Sequence, residues 1–340
     1  MMSNPSVKVA VIGIGTIAQV HIASLIRCGC EIVALCDCEI KKCRAAAEKF
    51  GLNVRVYEDY LRMLDCEKPD AVHICTPHAL HAPMAKECLS RNINVLCEKP
   101  LAVSEEQLSQ LEETVKSSRA QLGVCHQRRY EPITRYVKKI CEEEKALSAY
   151  GVCFWKRDKA YYESAPWRGK RELSGGGSLI NQALHTLDLL QWFCGMPETV
   201  TGSVFNHTLG GVIDVEDGTF GVFSYADGRR FVLASTNACN DSFPVNVTLH
   251  AGKKLLQMTD DYLIEDGKIV ETQDDFPVPG KKEWGNGHLR LISDFYRCLG
   301  RDEKFPIDFY EGSKVVRLIL ALYASDGKTV RVEGSSRRGG

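Results

Sequence analysis

Val7-Lys8-Val9-Ala10-Val11-Ile12-Gly13-Ile14-Gly15-Thr16-Ile17-Ala18 is the stretch that decides the fold of this 340-residue chain. Val7 to Ile12 reads as an apolar strand, and Thr16 opens a helical pattern running to Cys28. Between them, Gly13-x-Gly15-x-x-Ala18 has the spacing and context of a dinucleotide fingerprint. The glycines let the backbone approach a pyrophosphate, and the helix start offers free N–H groups and a positive dipole end. Gly13, Gly15, Thr16, Ile17 and Ala18 are the expected contacts, with Ala18 still permitting close helix–strand packing. Asp37 closes the next strand, Glu31 to Cys36, where a carboxylate hydrogen-bonds a ribose 2′-hydroxyl and repels a 2′-phosphate. The pattern predicts NAD in preference to NADP, although Lys41 and Lys42 stand close by.

Outward from this start the alternation of strand and helix continues. It gives a helix over Ile40 to Phe50, a strand over Val54 to Tyr57 and a short helix over Leu61 to Leu64. A strand over Ala71 to Cys75, a helix over His81 to Arg91 and a strand over Asn94 to Cys97 follow. A helix over Glu105 to Ser118 and a strand over Gln121 to Cys125 complete the set. This is the signature of βαβ units and a parallel sheet, so residues 1–126 are expected to form a Rossmann domain. Ligands bind beyond the carboxyl ends of such strands. Thr76-Pro77, His81, Glu98-Lys99 and Gln127 all fall there and are expected to flank the cofactor, His81 chiefly as the start of a helix. A lysine at such a strand end projects at the cofactor and not into bulk water.

After Pro132 the texture changes. A helical pattern over Ile133 to Glu143 leads to alternating runs: Tyr150 to Trp155, Thr199 to Asn206, Gly218 to Ser224, Arg230 to Thr236 and Val245 to His250. These predict one large, mainly antiparallel open sheet. Residues 127–334 are therefore expected to form an α+β domain. Its C-terminal helix, 311–324, is expected to pack back near the domain junction, ahead of a frayed tail over 335–340. Ser174 to Trp192 interrupts the strands as a helix with a glycine-rich start, Gly175-Gly176-Gly177, which allows close ligand approach. Asn181, His185 and Asp188 stand at i, i+4 and i+7, one face of a helix. Just upstream, Trp155, Arg157, Trp167 and Arg168 accompany Tyr161 and Tyr162. Aromatic rings stack on sugar faces, and arginine forks bind carboxylate or phosphate, which favours an anionic sugar. His288 heads a further helix, to Leu299.

Hydrophobic residues make up 44% of the chain and charged residues 26%, and the formal net charge is −1, which gives no reason to expect a nucleic acid or membrane partner. No apolar run reaches the length of a membrane span, and the first residues lack the pattern of a leader. The 15 cysteines show no zinc-type pairing, so no metal is expected and a reducing cytoplasm accounts for them.

The chain resembles the Gfo/Idh/MocA family of glucose–fructose oxidoreductases and inositol dehydrogenases. The likeness rests on Gly13-x-Gly15-x-x-Ala18, Thr76-Pro77, Glu98-Lys99-Pro100 and Gln127-Arg128-Arg129-Tyr130. It extends through the helix carrying Gly175-Gly176-Gly177, Asn181, His185 and Asp188, and to Tyr323-Ala324-Ser325-Asp326-Gly327. The resemblance implies a Rossmann domain and makes 127–334 the substrate-binding and oligomerisation domain, with an open sheet that serves as an oligomer interface (a homodimer or homotetramer). It also implies NAD(P)-dependent oxidation of a carbohydrate hydroxyl. It makes Lys99 the active-site lysine and His185 the acid/base. Pro100 matches a proline often preceded by a cis peptide. Asn181 falls where many relatives carry aspartate, which weakens a His–Asp dyad and an inositol substrate. Arg129, Tyr130 and His288 join Lys99, Trp155, Arg157, Trp167, Arg168, Asn181 and His185 as expected substrate contacts.

The chemistry is coherent from the residues upward. Oxidising an alcohol requires hydride departure and loss of the hydroxyl proton, for which a neutral histidine is a natural base. A lysine cation on the same oxygen stabilises developing alkoxide charge. The assignment is His185 as base and Lys99 as polariser, with the reverse left open, and Asn181 orienting a sugar hydroxyl. The expected activity is oxidation of a ring hydroxyl, C3 by resemblance, of a pyranose, glycoside or nucleotide-sugar. Two rivals are a redox-neutral glycoside lyase that retains its NAD, and a non-catalytic NAD-dependent sensor.

Overall fold

A computed structural model of the chain describes residues 7–272 and 285–334. The expected frayed tail, 335–340, lies outside the described residues. These divide into two compact units, one within Met1–Ala102, Glu106–Tyr130 and Phe276–Gly312, the other within Val103–Glu105, Glu131–Asp275 and Ser313–Gly340. The first unit is built on β1 (Lys8–Ile12), β2 (Glu31–Cys36), β3 (Arg55–Tyr57), β4 (Ala71–Ile74), β5 (Asn94–Cys97) and β6 (Leu122–Val124). They form a six-stranded sheet in the order β3-β2-β1-β4-β5-β6, and every pairing is parallel. This is the doubly wound order whose ligands bind outside the carboxyl strand ends. Val9, Ala10 and Val11 of β1 and Val95, Leu96 and Cys97 of β5 are fully buried, as expected for strands covered on both faces.

The units are discontinuous in sequence, unlike the continuous division expected at residue 126. Helix Gly287–Arg301 belongs to the first unit, where it packs on helix Thr16–Arg27 and on the short turn Gln127–Tyr130. Helix Phe309–Ser325 belongs to the first unit as far as Gly312 and to the second from Ser313 onward.

The second unit carries β7 (Ala146–Phe154), β8 (Thr199–Phe205), β9 (Gly218–Ser224), β10 (Arg230–Thr236), β11 (Asn246–Ala251), β12 (Lys254–Met258), β13 (Tyr262–Glu265), β14 (Lys268–Thr272) and β15 (Thr329–Arg331). They form a nine-stranded sheet, β14-β13-β12-β11-β7-β10-β9-β8-β15. Only the β7–β10 pairing is parallel, so the sheet is mainly antiparallel, as the alternating runs predicted. The expected single helix from Ser174 to Trp192 is broken. A short helix, Arg171–Ser174, ends at Gly175, whose φ of 75° is left-handed. A π-helical turn then spans Leu179–Ala183 and runs into helix Leu184–Cys194. Such turns recur at functional sites.

Candidate active site

The first unit supplies a nucleotide cradle. Gly13 has φ +84°, and a Cβ there would lie 2.7 Å from the backbone of Cys75 and Thr76. Only glycine lets β1 turn this tightly against the end of β4. At Gly15 a Cβ would meet nothing within 4 Å, leaving open space at the start of helix Thr16–Arg27. The Gly15 N-cap provides no side-chain hydrogen bond to that helix, so its first N–H groups are available to an anion. Asp37 Oδ2 accepts the Ile14 N–H at 2.8 Å, tying the second strand end to the glycine turn. Lys41 and Lys42, the cations near Asp37, both pair with Glu39. Thr76 Oγ1 and Gln127 Oε1 are buried polar atoms without a protein partner at strand ends. These features fit a dinucleotide.

The Lys99–Pro100 peptide is cis, and Lys99 follows directly on β5. Burial pulls the Lys99 ammonium pKa down, and the neighbouring Glu98 carboxylate opposes it. His81 bridges two backbone carbonyls, Pro100 O at 2.7 Å and Thr76 O at 2.8 Å, which braces the loop. Arg129 donates to Glu311 Oε1 at 2.8 Å, and Tyr130 Oη to Asp294 Oδ2 at 2.6 Å. Both residues are buried in the first unit. His288, read as a substrate contact, is buried there too, with Nε2 3.3 Å from Glu98 Oε1. His21, Glu98 and His288 bring three ligand-type atoms within 4.8 Å of one another, and hydrogen bonds among those atoms already engage them. The sequence reading missed His21 and His73. The available signal was a histidine inside the apolar strand Val72-His73-Ile74, where a buried polar group needs a partner.

The second unit supplies a polar platform. Asn181 Nδ2 and Gln182 Nε2 both donate to Tyr161 Oη, at 3.2 and 3.3 Å. Gln182 Oε1 accepts from Asn237 Nδ2 at 3.3 Å, and Asn237 also donates to Tyr162 Oη at 2.7 Å. Adjacent side chains do not share a face on a regular helix; here both lie in the π-helical turn. The Tyr161 ring lies between two guanidinium groups, Arg157 at 4.7 Å and Arg168 at 4.5 Å from its centroid. Arg157 also lies over Trp155 and Arg168 over Trp167. The structure thus gathers Trp155, Arg157, Trp167, Arg168 and Asn181 around Tyr161. The Nε groups of both arginines are buried without an acceptor. Asn181 and His185 stay partly exposed, while Asp188 is buried.

The glycine-rich start serves protein packing, which corrects the expectation of close ligand approach. A Cβ at Gly176 would lie 1.9 Å from Tyr323 Oη, and one at Gly177 1.9 Å from the Glu216 carbonyl oxygen. Glu216 Oε1 accepts the N–H groups of Gly177 (2.8 Å) and Leu179 (3.0 Å) and the Tyr323 hydroxyl (2.9 Å). It caps the π-helical turn from a distance, satisfying donors that a helix start leaves open. Tyr323, from the closing Tyr-Ala-Ser-Asp-Gly stretch, is therefore part of the platform's support. Ser325 Oγ from the same stretch accepts the Gly202 N–H at 2.9 Å.

The nucleotide cradle is that of an NAD-dependent dehydrogenase, and similarity to known proteins places its action on a CH–OH group of a carbohydrate. Residues 7–126 match the model of the oxidoreductase family with an NAD-binding Rossmann fold, and residues 146–255 match the GFO/IDH/MocA C-terminal domain. The chain belongs to the Gfo/Idh/MocA family. It is 26% identical to D-glucoside 3-dehydrogenase of Escherichia coli K12, over 98% of this chain and 99% of that protein. It is 30% identical to inositol 2-dehydrogenase of Rubrobacter xylanophilus, over 55% of this chain and 52% of that one. Among solved structures it resembles the WlbA dehydrogenase of Bordetella pertussis, determined with NADH and UDP-GlcNAcA. There the identity is 26% and the TM-score 0.83, over 96% of this chain and 98% of that one. Among the described residues no helix is long and apolar enough to cross a membrane.

Proposed function

We propose that the protein oxidises the C3 hydroxyl of a pyranose, present as a glycoside or nucleotide-sugar that carries an anionic group. The anionic part rests on one observation: two guanidinium groups flank Tyr161 with buried Nε–H donors that have no acceptor. A carboxylate or phosphate meets such donors with charge-assisted hydrogen bonds. The choice of C3 draws on the likeness to a glucoside 3-dehydrogenase, and the anion accords with a relative solved with UDP-GlcNAcA.

NAD, when bound, supplies the hydride acceptor. His185 takes the hydroxyl proton, Lys99 polarises the same oxygen as a cation, and Asn181 orients a neighbouring hydroxyl. Asparagine cannot take a proton, so Asn181 does not share the role of base. Gly13, Gly15, Thr16, Ile17, Ala18, Asp37, Thr76, Pro77 and Gln127 hold the dinucleotide.

Tyr150, Val232 and Phe220, at 45%, 41% and 53% exposure, share one face of the second sheet. We place a homodimer or homotetramer contact on it. The unbridged cysteines favour the cytoplasm.

The test is a screen of neutral sugars, uronates and nucleotide-sugars that follows NADH and products together. NADH formed with an anionic pyranose, and a 3-keto product, is the expected result. Glycoside consumed with no net NADH would replace it with the lyase reading. Turnover confined to neutral sugars would remove the anionic part.

A further inference from the structure

An unbroken chain of hydrogen bonds runs through the first unit to the residue beside Lys99. Tyr296 Oη lies 2.8 Å from His73 Nε2, and His73 Nδ1 lies 2.7 Å from His21 Nδ1. His21 Nε2 is 3.0 Å and His288 Nε2 3.3 Å from the same Glu98 oxygen, Oε1. The other oxygen, Oε2, accepts the Lys99 backbone N–H at 3.1 Å. His21, His73, His288 and Glu98 are all buried.

With Glu98 ionised and the imidazoles neutral, one arrangement of protons satisfies every contact. Both imidazoles donate to Oε1 through Nε2–H, which leaves His21 Nδ1 an acceptor. His73 must then donate through Nδ1–H and accept the Tyr296 hydroxyl at Nε2. The chain has a single direction, with the negative charge at its end. Burial would push the Glu98 carboxyl pKa up, but the hydrogen bonds and electrostatic attraction of His21 and His288 together outweigh it and hold the group well below the ordinary carboxylate range. Burial holds His73 and His288 below the usual imidazole range. The other titratable groups facing Glu98 are Cys75, Cys97 and Cys125, whose thiols burial pushes up, and His81, which burial pulls down. Lys99 faces Glu98, His81 and His288. Glu98 is the one anion in this set.

We propose that Tyr296, His73, His21 and His288 are positioning residues that fix an ionised Glu98 behind Lys99, anchoring its main chain and keeping its ammonium charged in a buried setting. The inference deepens the reading of Lys99 as the cationic polariser and rests on it.

The test uses the full-length protein with NAD. Lys99 titration is read without turnover, from the pH dependence of its reductive methylation, mapped by peptide mass spectrometry. In Glu98→Gln, Lys99 should become reactive about one pH unit lower, a tenfold larger neutral fraction at a given pH, with NAD binding retained. The alkaline limb of the turnover profile should move with it. Glu98→Asp should restore both, and His288→Asn and His73→Phe should shift both in the same direction by less. If Glu98→Gln does not fold, His288→Asn and His73→Phe decide. Unchanged Lys99 titration in variants that bind NAD overturns the proposal. So does one equivalent of metal in the purified protein, because a metal ion would take the lone pairs assigned here to hydrogen bonds. If the titration shifts as stated while Lys99→Met keeps full turnover, the array stands and the catalytic reading of Lys99 falls.

Discussion

Glu98 in the first unit and Glu216 in the second are both buried beside candidate site residues, and the two respond to burial in opposite ways. They are equally sequestered, at 4% and 3% exposure. Burial pushes both carboxyls up. At Glu98 two imidazole donors reverse the push and leave the acid strongly ionised. At Glu216 burial prevails over the N–H groups of Gly177 and Leu179 and the Tyr323 hydroxyl, and the carboxyl stays raised. The difference separates two uses of a buried acid. One is a fixed charge next to a lysine, and the other is a hydrogen-bond acceptor that closes the start of a helix.

The largest expected effect tests whether each unit contributes one half of the reaction. Lys99→Met removes the cation proposed for the first unit, and His185→Ala removes the base proposed for the second. Each should lower kcat by about 10²–10⁴-fold, the range of one acid–base or charge-stabilising group, while NAD still binds. Stopped-flow turnover with parallel NAD titration checks both. Near-normal turnover in either variant would assign the chemistry to one unit alone.

The next effect separates the two glutamates by stability. Glu98→Gln removes a charge that accepts three hydrogen bonds, so near neutral pH it should cost about 2–3 kcal/mol. Because the folded pKa of Glu98 is depressed, its contribution is present above the unfolded value and is lost as pH falls. The gap between wild type and variant should therefore close below about pH 4. Glu216→Gln keeps an acceptor for its three donors and should cost less than about 1 kcal/mol. Its raised pKa reverses the sign: the wild-type contribution is present in acid and lost as pH rises, so the glutamine variant gains relative to wild type toward alkaline pH. Denaturant midpoints across a pH series read both slopes. Parallel slopes for the two variants would abolish the distinction.

How far the sequence revealed these sites depended on whether their contacts were local. Asp37, Thr76 and Lys99 were placed at strand ends by patterns a few residues long, because parallel strands are continuous apolar runs. Strands β12 to β14 mix polar and apolar residues, as in Lys254-Leu255-Leu256-Gln257-Met258 and Lys268-Ile269-Val270-Glu271-Thr272, and escaped the alternation test. The Glu98 array was invisible for a different reason. His21 and His73 are 52 residues apart, and Tyr296 is 223 residues from His73. No local period registers such pairs, nor does it register that the 287–301 helix folds with the N-terminal sheet. The platform of the second unit was half legible. The arginines and tryptophans stood out by type, but the π-helical turn that lets Gln182 join Asn181 at Tyr161 has no marker in a pattern read at 3.6 residues per turn.

The smallest expected effect probes that platform, and it separates the hydroxyl of Tyr161 from its ring. Tyr161→Phe removes the acceptor shared by Asn181 and Gln182 but keeps the surface stacked between Arg157 and Arg168. A lost neutral hydrogen bond is worth about 1 kcal/mol, so kcat/KM should fall about fivefold. Tyr161→Leu removes the stacking as well, which adds about 0.5–1 kcal/mol for each cation–π contact. Because those arginines are assigned to the anionic group, this further loss should appear in KM for an anionic sugar and not for a neutral one. Steady-state kinetics on a matched uronate and neutral glycoside gives the comparison. Equal losses on both would mean that the arginines only support the Tyr161 ring, and the platform would then resemble the Glu216 region, a scaffold with no part in choosing the substrate.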